Sequence, residues 1–163
     1  MGLHDQVTHP FEERVPQPAE AIEAAPGVWW IRMPLPFALD HINLWLLEDG
    51  DGWTLVDTGF GVQATWELWE RHFAGAMGGR PVKNVVVTHY HPDHVGCADW
   101  LVKRTAAPFW MTATEYLSAH AAHDDTAERM HVTAHQSHTV AMLGTGLIGH
   151  FYTATLHGKR GRD

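Results

Sequence analysis

Six residues, His89-Tyr90-His91-Pro92-Asp93-His94, set three imidazoles and a carboxylate in one short segment, separated only by Thr88 from the apolar run Val85-Val86-Val87. Such a segment constrains the fold, because a strand must deliver these groups into a tight loop for them to act together. Neutral imidazole nitrogen and carboxylate oxygen are the donors that a zinc-like divalent cation takes. His89 and His91 are two apart, so in extended backbone they project to the same side. Pro92 fixes its own φ and disfavours helix at His91, so the strand ends there in a turn. Asp93 stands where a helix can begin, with His94 beside it and Gly96 leaving room for close approach. Two ligand pairs result, His89 with His91 and Asp93 with His94. One ion takes all four only under strain, whereas two neighbouring ions, each completed from elsewhere, are easier to build. With 14 His in 163 residues, a solvated His-rich loop is the competing reading. The phase of Asp93 and His94, between a β-branched run and a helical pattern, favours metal.

The rest of the chain reads as alternating strands and helices. Residues 1–25 are polar and Pro-containing and read as an N-terminal arm, residues 26–127 as the folded body, and residues 128–163 as an atypical tail. Val28–Met33, Ile42–Leu47 and Trp53–Val56 read as strands, the last two joined by Glu48-Asp49-Gly50-Asp51-Gly52 as a hairpin. From Val62 to about Ala76 the period turns helical, with Trp66, Trp69 and Phe73 as core, and Gly78-Gly79 and Pro81 stop it. Val82–Thr88 is the strand feeding the loop, and Val95, Ala98, Leu101 and Val102 stripe the next helix. Phe109–Met111 is a further strand, after which Thr112 caps a helix over 113–122. Cys97 reads as a small packing residue. His41, beside Asp40, reads as structural, with a pocket role as the alternative, and His120 and His123 read as solvated.

The His-x-His-x-Asp-His run at the end of a strand resembles the hallmark of the metallo-β-lactamase superfamily. Trp53-Thr54-Leu55-Val56-Asp57-Thr58-Gly59 is similar to that family's strand ending in Asp-Thr-Gly. Alone, Asp-Thr-Gly after an apolar strand is a common turn with Asp57 as a cap; followed about thirty residues later by the His cluster, it becomes specific. The resemblance spans residues 27–123 and implies an α+β fold, the αββα sandwich, here truncated to its first half. It implies His89 and His91 as ligands of one metal, Asp93 and His94 as ligands of a second, and Asp57 as a support behind them. Zinc is the expected ion, two per site in the family. A water or hydroxide between the ions would attack an ester-like, thioester, lactam or phosphodiester centre, with Asp93 orienting it or handling its proton. The expected function is a metal-dependent hydrolase of small ester- or thioester-like substrates. The alternatives are a truncated, non-catalytic remnant with partial metal binding, or a nuclease of the same superfamily. An oxygen-reducing di-iron relative fits less well, because those prefer Glu where His91 stands.

The departures from that family pattern concern the later part of the chain. Members carry a second, β-rich half that supplies another His, a bridging Asp and a last His. Here His150, in Gly146-Leu147-Ile148-Gly149-His150, is the candidate for a later ligand, without the surrounding Gly-His-x-Pro-Gly-His pattern. A bridging Asp has no candidate, since Asp163 is the sole Asp after Asp125. Residues 128–163 hold Arg129, Lys159, Arg160 and Arg162 against Glu128 and Asp163, a net of +2, so the first 127 carry −10 of a total of −8. That stretch reads either as foreign to the fold or as a divergent ending. The acidic total argues against a nucleic-acid surface, and one cysteine excludes an internal disulfide. No secretory signal and no membrane-length apolar run is visible, so a cytoplasmic protein acting on a small molecule is expected. A half-sandwich would expose an apolar sheet face and favour a homo-oligomer.

Overall fold

The structure, a computed structural model, describes residues 10, 11 and 13–125, together with the backbone of four short strands between residues 136 and 156. Four strands open the fold, β1 (Ile22–Ala25), β2 (Val28–Pro34), β3 (His41–Asp49) and β4 (Gly52–Val56). They form an antiparallel meander in which Gly50, at φ 60°, makes the tight β3–β4 turn and Asp49 pairs Gly52. Helix α1 (Gln63–Ala74) then crosses to β5 (Val82–Val86), and α2 (Pro92–Val95) with α3 (Ala98–Thr105) crosses to β6 (Phe109–Thr112). Both crossovers join parallel neighbours, β4 to β5 and β5 to β6. Right-handed crossovers stepping in one direction along a sheet lay their helices on the same face. Accordingly Trp66 and Phe73 of α1 both stack on Trp100 of α3, at ring centroid distances of 6.2 and 6.5 Å. Helix α4 (Ala113–Asp125) follows, and then short strands β7 (Gln136–Ser137), β8 (Met142–Leu143), β9 (Phe151–Thr153) and β10 (Thr155–Leu156). β9 pairs antiparallel with β6 and β8 with β9, while β7 and β10 pair with each other.

The core lies between the helix layer and one face of the sheet. Ile31, Met33, Leu44, Leu46, Leu55, Val85 and Phe109 are buried there against Leu68, Trp69, Ala98 and Leu101. The indoles of the buried Trp69 and Trp53 are hydrogen-bonded, Trp69 Nε1 donating to the Thr58 carbonyl at 2.8 Å and Trp53 Nε1 to the Met77 carbonyl at 3.0 Å. The opposite face carries a cross-strand row in register, Trp30, Trp45, Val56, Val86 and Trp110, each half-buried. Directly opposed partners share a face, so this apolar row is the surface that a second sheet covers in a sandwich. The fold is therefore the α+β metallo-β-lactamase-like arrangement expected, seen here over its helix–sheet half.

Three local differences from the sequence reading have physical causes. Ile22–Ala25, read as part of the arm, is a strand, because Ile22 buries its side chain while pairing Trp30. Strand β5 stops at Val86 and residues 89–90 form a bend, so His89 and His91 do not meet by alternation along extended backbone. His120, read as solvated, is half-buried with Nδ1 at 2.9 Å from the Tyr116 carbonyl of its own helix; the side chain of His123 lies outside the described residues. Among the described residues no helix is long and apolar enough to cross a membrane.

Candidate metal centre

Strands β4, β5 and β6 run parallel, so their C-terminal ends open at one edge of the sheet, the place where α/β sheets bind ligands. β4 delivers Asp57 there, and the ladder continues one step, with Asp57 N–H donating to the Val86 carbonyl at 2.8 Å. Asp57 takes φ 63°, the left-handed region that a short polar side chain tolerates and most others do not. The carboxylate is buried, and both its oxygens are hydrogen-bonded. Its Oδ1 accepts the Thr88 N–H at 2.8 Å, its Oδ2 accepts the Thr88 hydroxyl at 2.9 Å, and Oδ2 lies 2.9 Å from His94 Nδ1. Thr58 donates both its N–H and its hydroxyl to the His94 carbonyl, at 2.8 and 2.6 Å. Gly61 and Gly96 then meet backbone to backbone: a Cβ on Gly96 would lie 2.7 Å from Gly61 N. The Asp-Thr-Gly turn is thereby stitched to α2 and holds the histidine loop from behind.

On this frame three imidazoles converge. His89 Nε2 lies 3.0 Å from His91 Nδ1, and the His89 and His94 ring centroids are 3.8 Å apart. His94 Nε2 lies 3.6 Å from Asp93 Oδ2. Two donors bonded to one ion at about 2.0–2.2 Å each in tetrahedral geometry stand roughly 3.3–3.6 Å apart. The Asp93–His94 pair has that spacing, whereas the His89–His91 nitrogens, at hydrogen-bond distance, must open by a few tenths of an ångström to share a cation. Among the described residues no group of three or more His, Cys, Asp or Glu side chains is arranged to hold one ion. The donor set thus fits as two pairs, each needing further donors. Burial lowers the pKa of His89, and the neighbouring His94 and His91 lower it further against the pull of Asp57 and Asp93. Burial acts in the same direction on His94, but there the Asp57 hydrogen bond and the charges of Asp57 and Asp93 outweigh it and raise the pKa.

The remaining sequence candidates fall as follows. Cys97 is fully buried, its thiol pushed up to about 12 by burial, and its Sγ donates to the Phe60 carbonyl at 3.2 Å. It packs. His41 Nδ1 lies 2.5 Å from Asp40 Oδ1, and both line a cavity of about 470 Å³ with Arg32, Arg71 and the arm residues Val15–Pro18. His150 lies outside the described residues. Two residues of the site were missed in the sequence. Thr88 spends its N–H and hydroxyl on Asp57, and Glu115 of α4 accepts the Tyr90 N–H at 2.9 Å. Only the placement of Thr88 next to the His run gave any hint of the first.

Exchanging Asp57 for Asn tests the frame without disturbing its left-handed backbone. The amide oxygen can still accept the Thr88 N–H, but its NH₂ would face His94 Nδ1 and favour the tautomer that places the ring proton on Nε2. Metal affinity, measured by competition with a chelator, is expected to fall about 10- to 100-fold with secondary structure unchanged. Equal affinity would return Asp57 to the role of a turn residue.

The family model for the metallo-β-lactamase superfamily matches residues 38–158. Among solved structures, a β-lactamase domain protein from Burkholderia ambifaria is similar at 36% identity and a TM-score of 0.66, over 88% of this chain and 52% of that one. A metallo-β-lactamase family protein from Thermus thermophilus is similar at 30% identity and a TM-score of 0.53, over 64% of this chain and 35% of that one. A probable metallo-hydrolase of Bacillus subtilis is 37% identical over 70 residues, which is 42% of this chain and 22% of that protein. The chain thus spans about half the length of the Burkholderia protein and about a fifth of the Bacillus one.

Proposed function

The chain belongs to the metallo-β-lactamase superfamily, and from that premise we propose that it forms a metal-dependent hydrolytic site acting on ester- or thioester-like bonds of small molecules. His89 and His91 would hold one divalent ion, and Asp93 with His94 a second, zinc being an ion that takes both imidazole and carboxylate donors. Such ions, when bound, polarise the substrate oxygen under attack and lower the pKa of a water towards neutrality.

The observation that carries the reading is the setting of His94. Its Nδ1 is held at 2.9 Å by the buried Asp57, which keeps the ring proton on that nitrogen and leaves Nε2 as the donor atom. Nε2 is also the atom nearest Asp93, at 3.6 Å. The lowered pKa of His89 favours the neutral ring, which keeps a lone pair for a cation. Asp93, partly exposed at the start of α2, would take a proton from an attacking water at a carboxylate oxygen. Thr88 and Thr58 do no chemistry in this scheme; they keep Asp57 and the His94 backbone in place.

Zinc-loaded protein assayed on thioester, ester and lactam substrates tests the proposal, with Asp93→Asn as the control. The expected result is zinc-dependent turnover of an ester or thioester, lowered about 10²- to 10⁴-fold by the control substitution. Zinc binding without turnover on any of the three would favour the non-catalytic reading. Failure to bind zinc would overturn the site assignment as well.

A further inference from the structure

We propose that Glu115, in the first turn of α4, is a positioning residue that holds the backbone between His89 and His91 and so sets the spacing of their rings. The proposal rests on the reading of this loop as a metal centre. Strand β5 lies between β4 and β6, and each neighbour hands one carboxylate to the loop that leaves it. Asp57, at the end of β4, takes the Thr88 N–H at 2.8 Å, and Glu115, just beyond β6, takes the Tyr90 N–H at 2.9 Å. Those two N–H groups flank His89 on either side.

What the two acceptors do follows from where the ladder ends. Val87 N–H donates to the Trp110 carbonyl at 2.9 Å, and beyond it the bend at residues 89–90 carries the chain away from β6. The Tyr90 N–H lies at an exposed bend where water could serve it, so what Glu115 adds there is a fixed direction for the backbone. A carboxylate acceptor is stronger than a neutral one and fixes direction as well. The sequence around Glu115 sharpens the point. Thr112-Ala113-Thr114-Glu115 has the spelling of a capping box, and Thr112 Oγ1 does accept the Glu115 N–H at 3.3 Å. In such a box the glutamate turns back to the N–H of its own cap residue. Here it reaches 25 residues back along the chain to Tyr90 instead. The first turn of α4 is thereby coupled to the metal loop, with the Tyr90 ring lying 4.9 Å from that of His91.

Two conservative substitutions separate reach from charge. Glu115→Asp keeps a carboxylate at the helix N-terminus, where it favours the helix, but shortens the arm by one methylene. Glu115→Gln keeps the length and an oxygen that can accept. The measurements are hydrogen exchange at the Tyr90 amide in metal-free protein, zinc affinity by chelator competition, and the visible spectrum of the cobalt(II)-loaded protein. With Glu115→Asp, protection at Tyr90 is expected to fall at least about tenfold. Zinc binding in that variant is expected to weaken about tenfold, at the lower end for loss of an outer support, with a shifted cobalt band. Glu115→Gln is expected to retain most of all three. Unchanged Tyr90 protection in Glu115→Asp would overturn the contact, and lost protection with unchanged zinc affinity and cobalt band would overturn the positioning role. A wild-type protein that binds no zinc overturns the metal-centre reading itself, a failure seen before any variant is made.

Discussion

Replacing His89 and His91 together by Ala is expected to abolish tight zinc binding while leaving the fold in place. His91 is exposed and His89 half-exposed, and neither belongs to the buried cluster between sheet and helices, so little packing is lost. Their nitrogens lie 3.0 Å apart and would form one of the two proposed donor pairs. Removing an outer support costs about 10- to 100-fold in affinity, so removing two direct donors should exceed the upper end of that range. Zinc content after dialysis against a chelator, with circular dichroism as the check on folding, decides the matter. A double variant that keeps full zinc content would place the metal elsewhere. The remaining pair, Asp93 with His94, still has Asp57 behind it, so residual weak binding in the double variant is compatible with two distinct donor pairs.

Much of this was legible in the residues because the relevant constraints are local. Pro92 ends the extended backbone and becomes the first residue of α2, with Asp93 in its first turn, as its fixed φ requires. Asp57 and the His run announce themselves by spelling, and three parallel strands bring them to one edge. The contacts made across the fold were not legible. Glu115 carries the signature of a helix cap, and nothing in its own neighbourhood tells that its carboxylate goes to Tyr90. Helix α1 shows the same limit in another form. The large aromatics Trp66, Trp69 and Phe73 suggest one core stripe, yet the face buried against the sheet is Thr65, Leu68, Trp69 and His72. That spacing of three, one and three is the ordinary helical stripe. Trp66 and Phe73 are rotated off it, towards Trp100 of α3. Side-chain size drew the stripe one position away from its true centre, and a buried histidine was missed.

That histidine should make the protein acid-sensitive well above the range where carboxylates titrate. His72 is fully buried, and neither ring nitrogen has a hydrogen-bond partner among the described residues. Burial, with a smaller contribution from the Arg71 charge, lowers its pKa from 6.5 to about 4. Between those values the unfolded chain binds a proton that the folded chain refuses, so stability rises with pH across the interval. The neutral ring's contribution is complete above about pH 6.5 and is lost as the pH falls towards 4, which by linkage amounts to about 3 kcal/mol. His72→Leu removes the titration along with two unpaired buried nitrogens, and replacing such groups by an apolar side chain of similar size is neutral or stabilising. Urea unfolding of both proteins at pH 7 and pH 4.5 is the test. The variant is expected to be at least as stable at pH 7 and to lose about 2–3 kcal/mol less than the wild type on acidification. Parallel losses in the two proteins would mean that His72 finds a partner for its proton in the folded state, and that the acid sensitivity arises elsewhere.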